Sequence, residues 1–127
     1  MSTNTPTVVV IGFGEAGSSL CIGWNRSNVR SFDIKQTNPD LKTAKCTEME
    51  DLGVYAAEDM RAAVDGADLI FSTVTADQAF DAASSAAPWL KPGAFFFDLN
   101  SCAPSTKQKS AEAVEAAGGR YVDIAVM

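Results

Sequence analysis

The chain has 127 residues, 46% of them hydrophobic and 20% charged, a composition typical of one globular domain. Its net charge of −6 comes without a cluster of Lys and Arg, which disfavours nucleic-acid binding. The sequence has no histidine, which excludes Ser-His and Cys-His nucleophiles, and its three separated cysteines predict neither a disulfide framework nor a metal site. No apolar run has the length of a membrane span and nothing resembles a signal peptide, so we expect a cytoplasmic protein.

Strand and helix patterns alternate along the chain at the spacing of βαβ units. The predicted strands are residues 7–11, 29–34, 54–56, 67–74, 94–98 and 120–126. The predicted helices are residues 15–26, 41–51, 58–64, 76–87 and 104–117. This order predicts an α/β fold with a doubly wound, Rossmann-type parallel sheet of about six strands in three layers. The ligand is expected at the carboxyl edge of the strands, and the strand at 94–98 is expected to be buried on both faces.

A GxGxxG motif joins the first strand to the first helix. Gly12 allows the tight turn out of the strand, Gly14 lets the backbone approach a pyrophosphate, and Gly17 lets the helix pack closely on the strand. The free N–H groups at the start of the helix favour phosphate. The predicted cofactor-binding residues of this loop are Gly12, Phe13, Gly14, Glu15, Ala16 and Gly17. The alternative is a plain glycine-rich turn.

An acidic residue ends the second strand. Asp33 follows the glycine motif by about 20 residues, where a carboxylate can accept hydrogen bonds from an adenosine ribose. A 2′-phosphate beside this carboxylate would be repelled, so we predict NAD in preference to NADP. Lys35, two residues later, softens that preference and is included among the predicted cofactor residues. The alternative for Asp33 is a solvated carboxylate at a strand end.

The segment after the fourth strand, Ser-Thr-Val-Thr-Ala-Asp at residues 72–77, is expected to cross the cofactor. Thr73, Val74 and Thr75 are predicted to contact the ribose or the nicotinamide through their backbone and hydroxyl groups. Helix capping by Thr75 or Asp77 is an alternative compatible with that role.

A second polar segment, residues 98–104, follows the fifth strand. The Asn100 amide has the donor and acceptor needed to hold a carboxamide, and Ser101 can bind a substrate carboxylate or hydroxyl. Cys102 is included as a substrate-binding position, although its thiol is expected to pack rather than to act as a nucleophile. The alternative for this segment is a polar turn that caps the next helix. A solvated face is expected for Lys107 and Lys109, near the start of that helix, and attraction of an anionic substrate is the alternative.

The motifs VVVIGFGEAG, Asp33, STVTAD and DLNSCAPSTK together resemble the cofactor domain of the β-hydroxyacid dehydrogenase family, which includes 3-hydroxyisobutyrate and 6-phosphogluconate dehydrogenases. The similarity covers essentially the whole chain. Family members have an Asp-x-Ser-Thr-x-x-Pro-like substrate motif where this chain has Asp98, Pro104 and an Asn100-Ser101 pair closer to the phosphogluconate branch. The resemblance implies that Asn100 contacts nicotinamide or substrate and that Ser101 binds substrate.

The resemblance also implies an oxidoreductase that transfers hydride between NAD or NADP and a small anionic hydroxy acid, as a homodimer when full length. In the family the catalytic lysine lies on a helix after the last strand, here beyond Met127, and a following helical domain completes the substrate pocket. We therefore expect residues 1–127 to be a dinucleotide-binding domain, part of a longer protein, with no catalytic residue and no activity alone. Imine reduction by the same architecture and a non-catalytic NAD-binding or sensing module are the alternatives.

Overall fold

Six parallel strands flanked by helices make up the computed structural model, which describes residues 6–22 and 28–124. The strands are β1 (Val8–Ile11), β2 (Val29–Phe32), β3 (Tyr55–Ala56), β4 (Leu69–Ser72), β5 (Phe95–Asp98) and β6 (Arg120–Asp123). The α-helices are α1 (Glu15–Ile22), α2 (Pro39–Asp51), α3 (Met60–Val64), α4 (Ala79–Ala86) and α5 (Pro104–Ala116). Short 3₁₀ turns lie at Ile34–Thr37, Ala76–Gln78 and Ala87–Trp89.

The strand order in the sheet is β3-β2-β1-β4-β5-β6, with every described pairing parallel. In register, Ile11 of β1 lies beside Phe32 of β2 and Ser72 of β4. The chain winds outward in both directions from β1 and β4, so the carboxyl ends of these two strands border a crevice. The predicted doubly wound α/β sheet is confirmed.

Two apolar clusters lie on opposite faces of the sheet, as three layers require. Alternate residues of β1 point to opposite faces, and Val10 packs with Phe13, Cys21 and Met49 on the side of α1 and α2. Val9 and Ile11 belong to the larger cluster under α3, α4 and α5. The two clusters therefore bury β1 on both faces, next to the loop that leaves it.

Several predicted strands are shorter in the structure. The strand predicted at 29–34 ends at Phe32 because the Asp33 N–H donates to Gln36 Oε1, 2.9 Å away, and starts a 3₁₀ turn instead of continuing the ladder. The strand predicted at 67–74 is limited to Leu69–Ser72. Part of the first predicted helix, including Gly23 and Trp24, and the end of the last predicted strand lie outside the described residues.

The expectation that the strand at 94–98 is buried on both faces is wrong. Phe96 and Asp98 are buried, but Phe95 is 36% exposed and Phe97 is half-buried on the other face. The rings of Phe71 and Phe97 stack with centroids 4.7 Å apart, so these side chains cover part of each other's apolar surface. Among the described residues, no helix is long and apolar enough to cross a membrane.

Candidate functional site

The loop from Gly12 to Gly17 leaves β1 and begins α1, and its three glycines meet different surroundings. Gly12 has a φ of +88°, and an added Cβ would lie 2.5 Å from the Thr73 carbonyl oxygen. At Gly17 a Cβ would lie 2.2 Å from the Gly12 carbonyl oxygen. An added Cβ at Gly14 meets no atom within 4 Å. Gly12 and Gly17 are therefore required by packing, whereas Gly14 borders open space.

Two clefts open on either side of this loop at the carboxyl edge of the sheet. The first cleft, of about 360 Å³, extends from Gly12 and Gly14 past Asp33 and Lys35 to Asp81 of α4. The second cleft, of about 450 Å³, is bordered by Ala16 and Leu20 of α1 and by Leu99, Asn100 and Ser101 after β5. Thr73 and Val74, in the segment after β4, line both clefts, so the two clefts adjoin at this segment.

Asp33 connects the first cleft to the glycine loop. Asp33 is 7% exposed; its Oδ2 accepts the Phe13 N–H at 2.7 Å and its Oδ1 accepts the Lys35 N–H at 2.9 Å. The Asp33 side chain also forms a capping box with Gln36, and a carboxylate offers about four lone-pair sites, so some acceptor capacity remains beyond these bonds. The reading of Asp33 as a solvated strand-end carboxylate is therefore wrong.

Phe13, predicted from the motif as a cofactor residue, lines neither cleft. Its ring is buried in the cluster under α1 and α2, its N–H is bound to Asp33, and its carbonyl oxygen accepts from Lys45 Nζ at 2.9 Å. Lys45 was not foreseen from the sequence. The one signal for it is that it lies four residues before Met49 on the buried side of α2.

Asn100 bridges the ends of two strands at the second cleft. Its Oδ1 accepts the Val74 N–H at 2.7 Å, and its Nδ2 donates to Ser72 Oγ at 3.0 Å. One amide N–H and one acceptor position of this side chain remain. The segment does not cap the next helix, because α5 begins at Pro104 and its N-cap residue, Ala103, makes no side-chain capping bond.

The remaining predicted residues divide between the clefts and the scaffold. Thr73 Oγ1 donates to the Gly12 carbonyl oxygen at 2.8 Å, which ties the segment after β4 to the glycine loop. Thr75 makes no side-chain capping bond and lines the first cleft, and Ser101 lines the second. Glu15, Gly17 and Cys102 line neither cleft.

Comparison with known proteins agrees with this geometry. A family model described as the NAD binding domain of 6-phosphogluconate dehydrogenase matches residues 7–127. The chain belongs to this family. A sequence search of curated proteins found no match.

Solved structures share the fold of this NAD-binding domain. A conserved hypothetical protein from Sinorhizobium meliloti 1021 is 34% identical, with a TM-score of 0.88 over 96% of this chain and 42% of that one. The 3-hydroxyisobutyrate dehydrogenase of Mycobacterium tuberculosis has 18% identity and a TM-score of 0.82 over 96% and 40%. An imine reductase from Myxococcus stipitatus, in complex with NADP⁺, has 24% identity and a TM-score of 0.77 over 96% and 41%. The chain thus spans 40–42% of the length of these three proteins.

The site of the NAD-binding domain fits an extended dinucleotide. The two clefts meet at Thr73 and Val74, and the open space at Gly14 lies on the wall of the first, where backbone can approach a pyrophosphate. Asp33 and Lys35 lie farther along the first cleft. Within residues 6–22 and 28–124, no three His, Cys, Asp or Glu side chains are grouped to hold a metal ion.

A separate polar cluster of the NAD-binding domain links β5, β6 and α5. Lys107 is 14% exposed and forms an ion pair with Asp123, so its expected position on a solvated face is wrong. Burial lowers the pKa of Lys107, but the Asp123 hydrogen bond and the Asp98 charge outweigh it and raise this pKa. Burial and the Asp98 charge raise the pKa of the Cys102 thiol, which disfavours the thiolate that a nucleophile needs.

Replacing Tyr121 by Phe is expected to lower the free energy of unfolding by about 1–2 kcal/mol at pH 7. The Tyr121 hydroxyl donates to Oδ2 of the buried Asp98 at 2.6 Å, and the variant leaves this oxygen without that donor. Burial and the bond to Asp98 raise the pKa of Tyr121 above its ordinary value. The folded state therefore keeps the proton longer, and the contribution is complete below about pH 10 and is lost as the pH rises further.

Urea unfolding of both proteins at pH 7 and at about pH 10.5 measures this difference. The wild type should lose more stability between the two pH values than Y121F. Equal free energies of unfolding at pH 7 would contradict the assigned hydrogen bond.

Proposed function

We propose that this chain holds the dinucleotide of an NAD(P)-dependent oxidoreductase acting on a small hydroxy acid. The observation that carries the proposal is the geometry of the glycine loop. Close packing leaves no room for a side chain at Gly12 or Gly17, whereas Gly14 between them borders an open cleft. When bound, the nicotinamide supplies the hydride donor or acceptor. The chain's own residues bind and orient it, and family membership supports this division of labour.

The first cleft is proposed to hold the adenosine half. Bonds from backbone N–H groups hold the Asp33 carboxylate in place. Its remaining acceptor capacity would accept hydrogen bonds from the ribose hydroxyls. The side chains of Ile34 and Met60 add apolar surface to the wall of this cleft. Lys35 lies at the rim of the cleft, where it can approach a 2′-phosphate. We therefore propose that NAD binds more tightly than NADP and that NADP is still accepted. Imine reductase structures similar to this chain contain NADP⁺ in one case and NAD⁺ in another.

The second cleft is proposed to hold the nicotinamide half and the substrate edge. Asn100 is held by Ser72 and Val74 and presents its remaining N–H and acceptor there, with Ser101 beside it. The polar side chains among the described residues that line this cleft are hydroxyls and one amide, none of which titrates near neutral pH. The alcohol proton is therefore proposed to be handled by a group other than these.

The hydroxy-acid substrate rests on family membership and on the likeness of the segment at 98–104 to the substrate motif of that family. Imine reduction is a second candidate, because an imine reductase shares this fold with a TM-score of 0.77. A non-catalytic NAD-binding module remains the alternative for the chain alone. For the complete enzyme we propose a homodimer, as the family resemblance implies.

Replacing Asp33 by Asn is expected to shift the cofactor preference toward NADP, lowering the ratio of the NADPH to the NADH dissociation constant by about tenfold. The neutral amide no longer repels a 2′-phosphate, and Lys35 stays in the same cleft. The amide nitrogen of Asn cannot accept, so the hydrogen bond from the Phe13 or the Lys35 N–H is lost as well, and the free energy of unfolding should fall by about 1–2 kcal/mol.

Fluorescence titration of the wild type and D33N with NADH and NADPH measures both the function and the preference. Glu50→Gln, which removes one negative charge from an exposed position of α2, is the matched control and should leave the ratio unchanged. A wild type that binds neither nucleotide would overturn the proposed function. An unchanged ratio in D33N would overturn only the role of Asp33.

A further inference from the structure

A lysine occupies a core position of α2. Lys45 and Met49 are the two buried residues of this otherwise polar helix, and the Lys45 side chain is 8% exposed. Its Nζ donates to the Phe13 carbonyl oxygen at 2.9 Å and pairs with Glu48 Oε1 at 3.1 Å. Burying an ammonium group is costly unless it is paired, and an apolar side chain of similar volume is often neutral or stabilising at such a position. Stability alone therefore does not explain a lysine here.

The contact of Lys45 completes a set of bonds on two successive peptide units of the glycine loop. In the unit between Gly12 and Phe13, the carbonyl oxygen accepts from Thr73 Oγ1 at 2.8 Å and the N–H donates to Asp33 Oδ2 at 2.7 Å. In the next unit, between Phe13 and Gly14, the carbonyl oxygen is held by Lys45. Three side chains from separate parts of the fold thus set the orientation of both units.

The second peptide unit is the one that carries the N–H of Gly14. A trans peptide directs its C=O and N–H to opposite sides, and the described residues contain no cis peptide. Because Lys45 holds the Phe13 carbonyl on the side of α2, the Gly14 N–H is turned away from that helix. Gly14 lies on the wall of the first cleft.

We propose that Lys45 is a positioning residue of the dinucleotide site, which orients the N–H of Gly14 toward the pyrophosphate before the ligand binds. The inference rests on the proposed function and names a residue that acts through the loop without contacting the ligand itself. A loop already held in its binding conformation loses less entropy on association, so affinity for pyrophosphate compounds should depend on Lys45.

Replacing Lys45 by Met keeps the length and apolar stem of the side chain and removes the donor. We expect K45M to bind NADH and ADP-ribose about tenfold more weakly, with adenosine binding changed by less than about twofold. K45Q, whose amide nitrogen ends one bond short of the lysine nitrogen, should show the same pattern and serves if K45M does not fold. Equilibrium titrations measure the affinities, and thermal unfolding shows that each variant is folded.

Two controls on the same helix separate the loop contact from charge. K42M removes one positive charge from an exposed position, and E48Q breaks the ion pair while leaving the bond to Phe13. Both should bind NADH within about twofold of the wild type. If K45M and K45Q bind NADH as tightly as the wild type, or lose as much affinity for adenosine as for NADH, the role of Lys45 is overturned and the proposed function is not. A wild type that does not bind NADH would overturn the proposed function as well.

Discussion

NADH binding should weaken by about a hundredfold when Gly14 is replaced by Ala, while the thermal unfolding midpoint changes by less than about 2 °C. The added Cβ would meet no protein atom within 4 Å, and Gly14 is not among the glycines with a positive φ, so alanine fits the folded chain. The same methyl group would occupy the cleft wall where we propose that the loop backbone approaches the pyrophosphate. The loss is therefore expected in affinity and not in stability.

Fluorescence titration with NADH and a thermal melt of the same sample test this separation. Ser19→Ala, an exposed change on α1, is the control and should alter neither quantity. Unchanged NADH affinity in G14A would show that the pyrophosphate does not approach the loop at this residue. A large fall in the melting temperature would contradict the open space at Gly14.

The free energy of unfolding should fall by about 3 kcal/mol or more when Gly17 is replaced by Ala, which lowers the melting temperature by about 10 °C. The new Cβ would lie 2.2 Å from the Gly12 carbonyl oxygen, 2.9 Å from Thr73 Oγ1 and 3.1 Å from Val10 Cγ1. The nearest of these atoms belongs to backbone, so no side-chain rotation relieves the clash. The start of α1 must move away from β1.

Urea unfolding of G17A measures this loss, and G14A is its matched control because it makes the same chemical change three residues away. A G17A protein as stable as the wild type would contradict the close approach of α1 to β1. The two variants together divide one motif into a residue needed for ligand approach and a residue needed for packing.

Much of the architecture was predictable from local pattern. The apolar run before Gly12, the alternation of strands and helices, and the position of Asp33 all depend on residues close together in the chain. The strand ends were less predictable. Gln36 accepts the Asp33 N–H and stops β2 early, although the residues up to Ile34 have strand character. Phe95 and Phe97 have the apolar composition of a doubly buried strand, yet burial depends on which helices cover each face.

The sequence by itself determined that this chain forms a parallel α/β sheet with a glycine loop suited to a dinucleotide, because motif spacing and side-chain periodicity act over short distances. Only the tertiary structure showed what each motif residue contacts. Asp33 binds the Phe13 N–H, Asn100 joins β4 to β5, and Lys45 reaches the loop from α2. These contacts join residues 20 to 32 positions apart in the chain. They form only when β1, β2, β4, β5 and α2 pack together, and no local pattern encodes that arrangement.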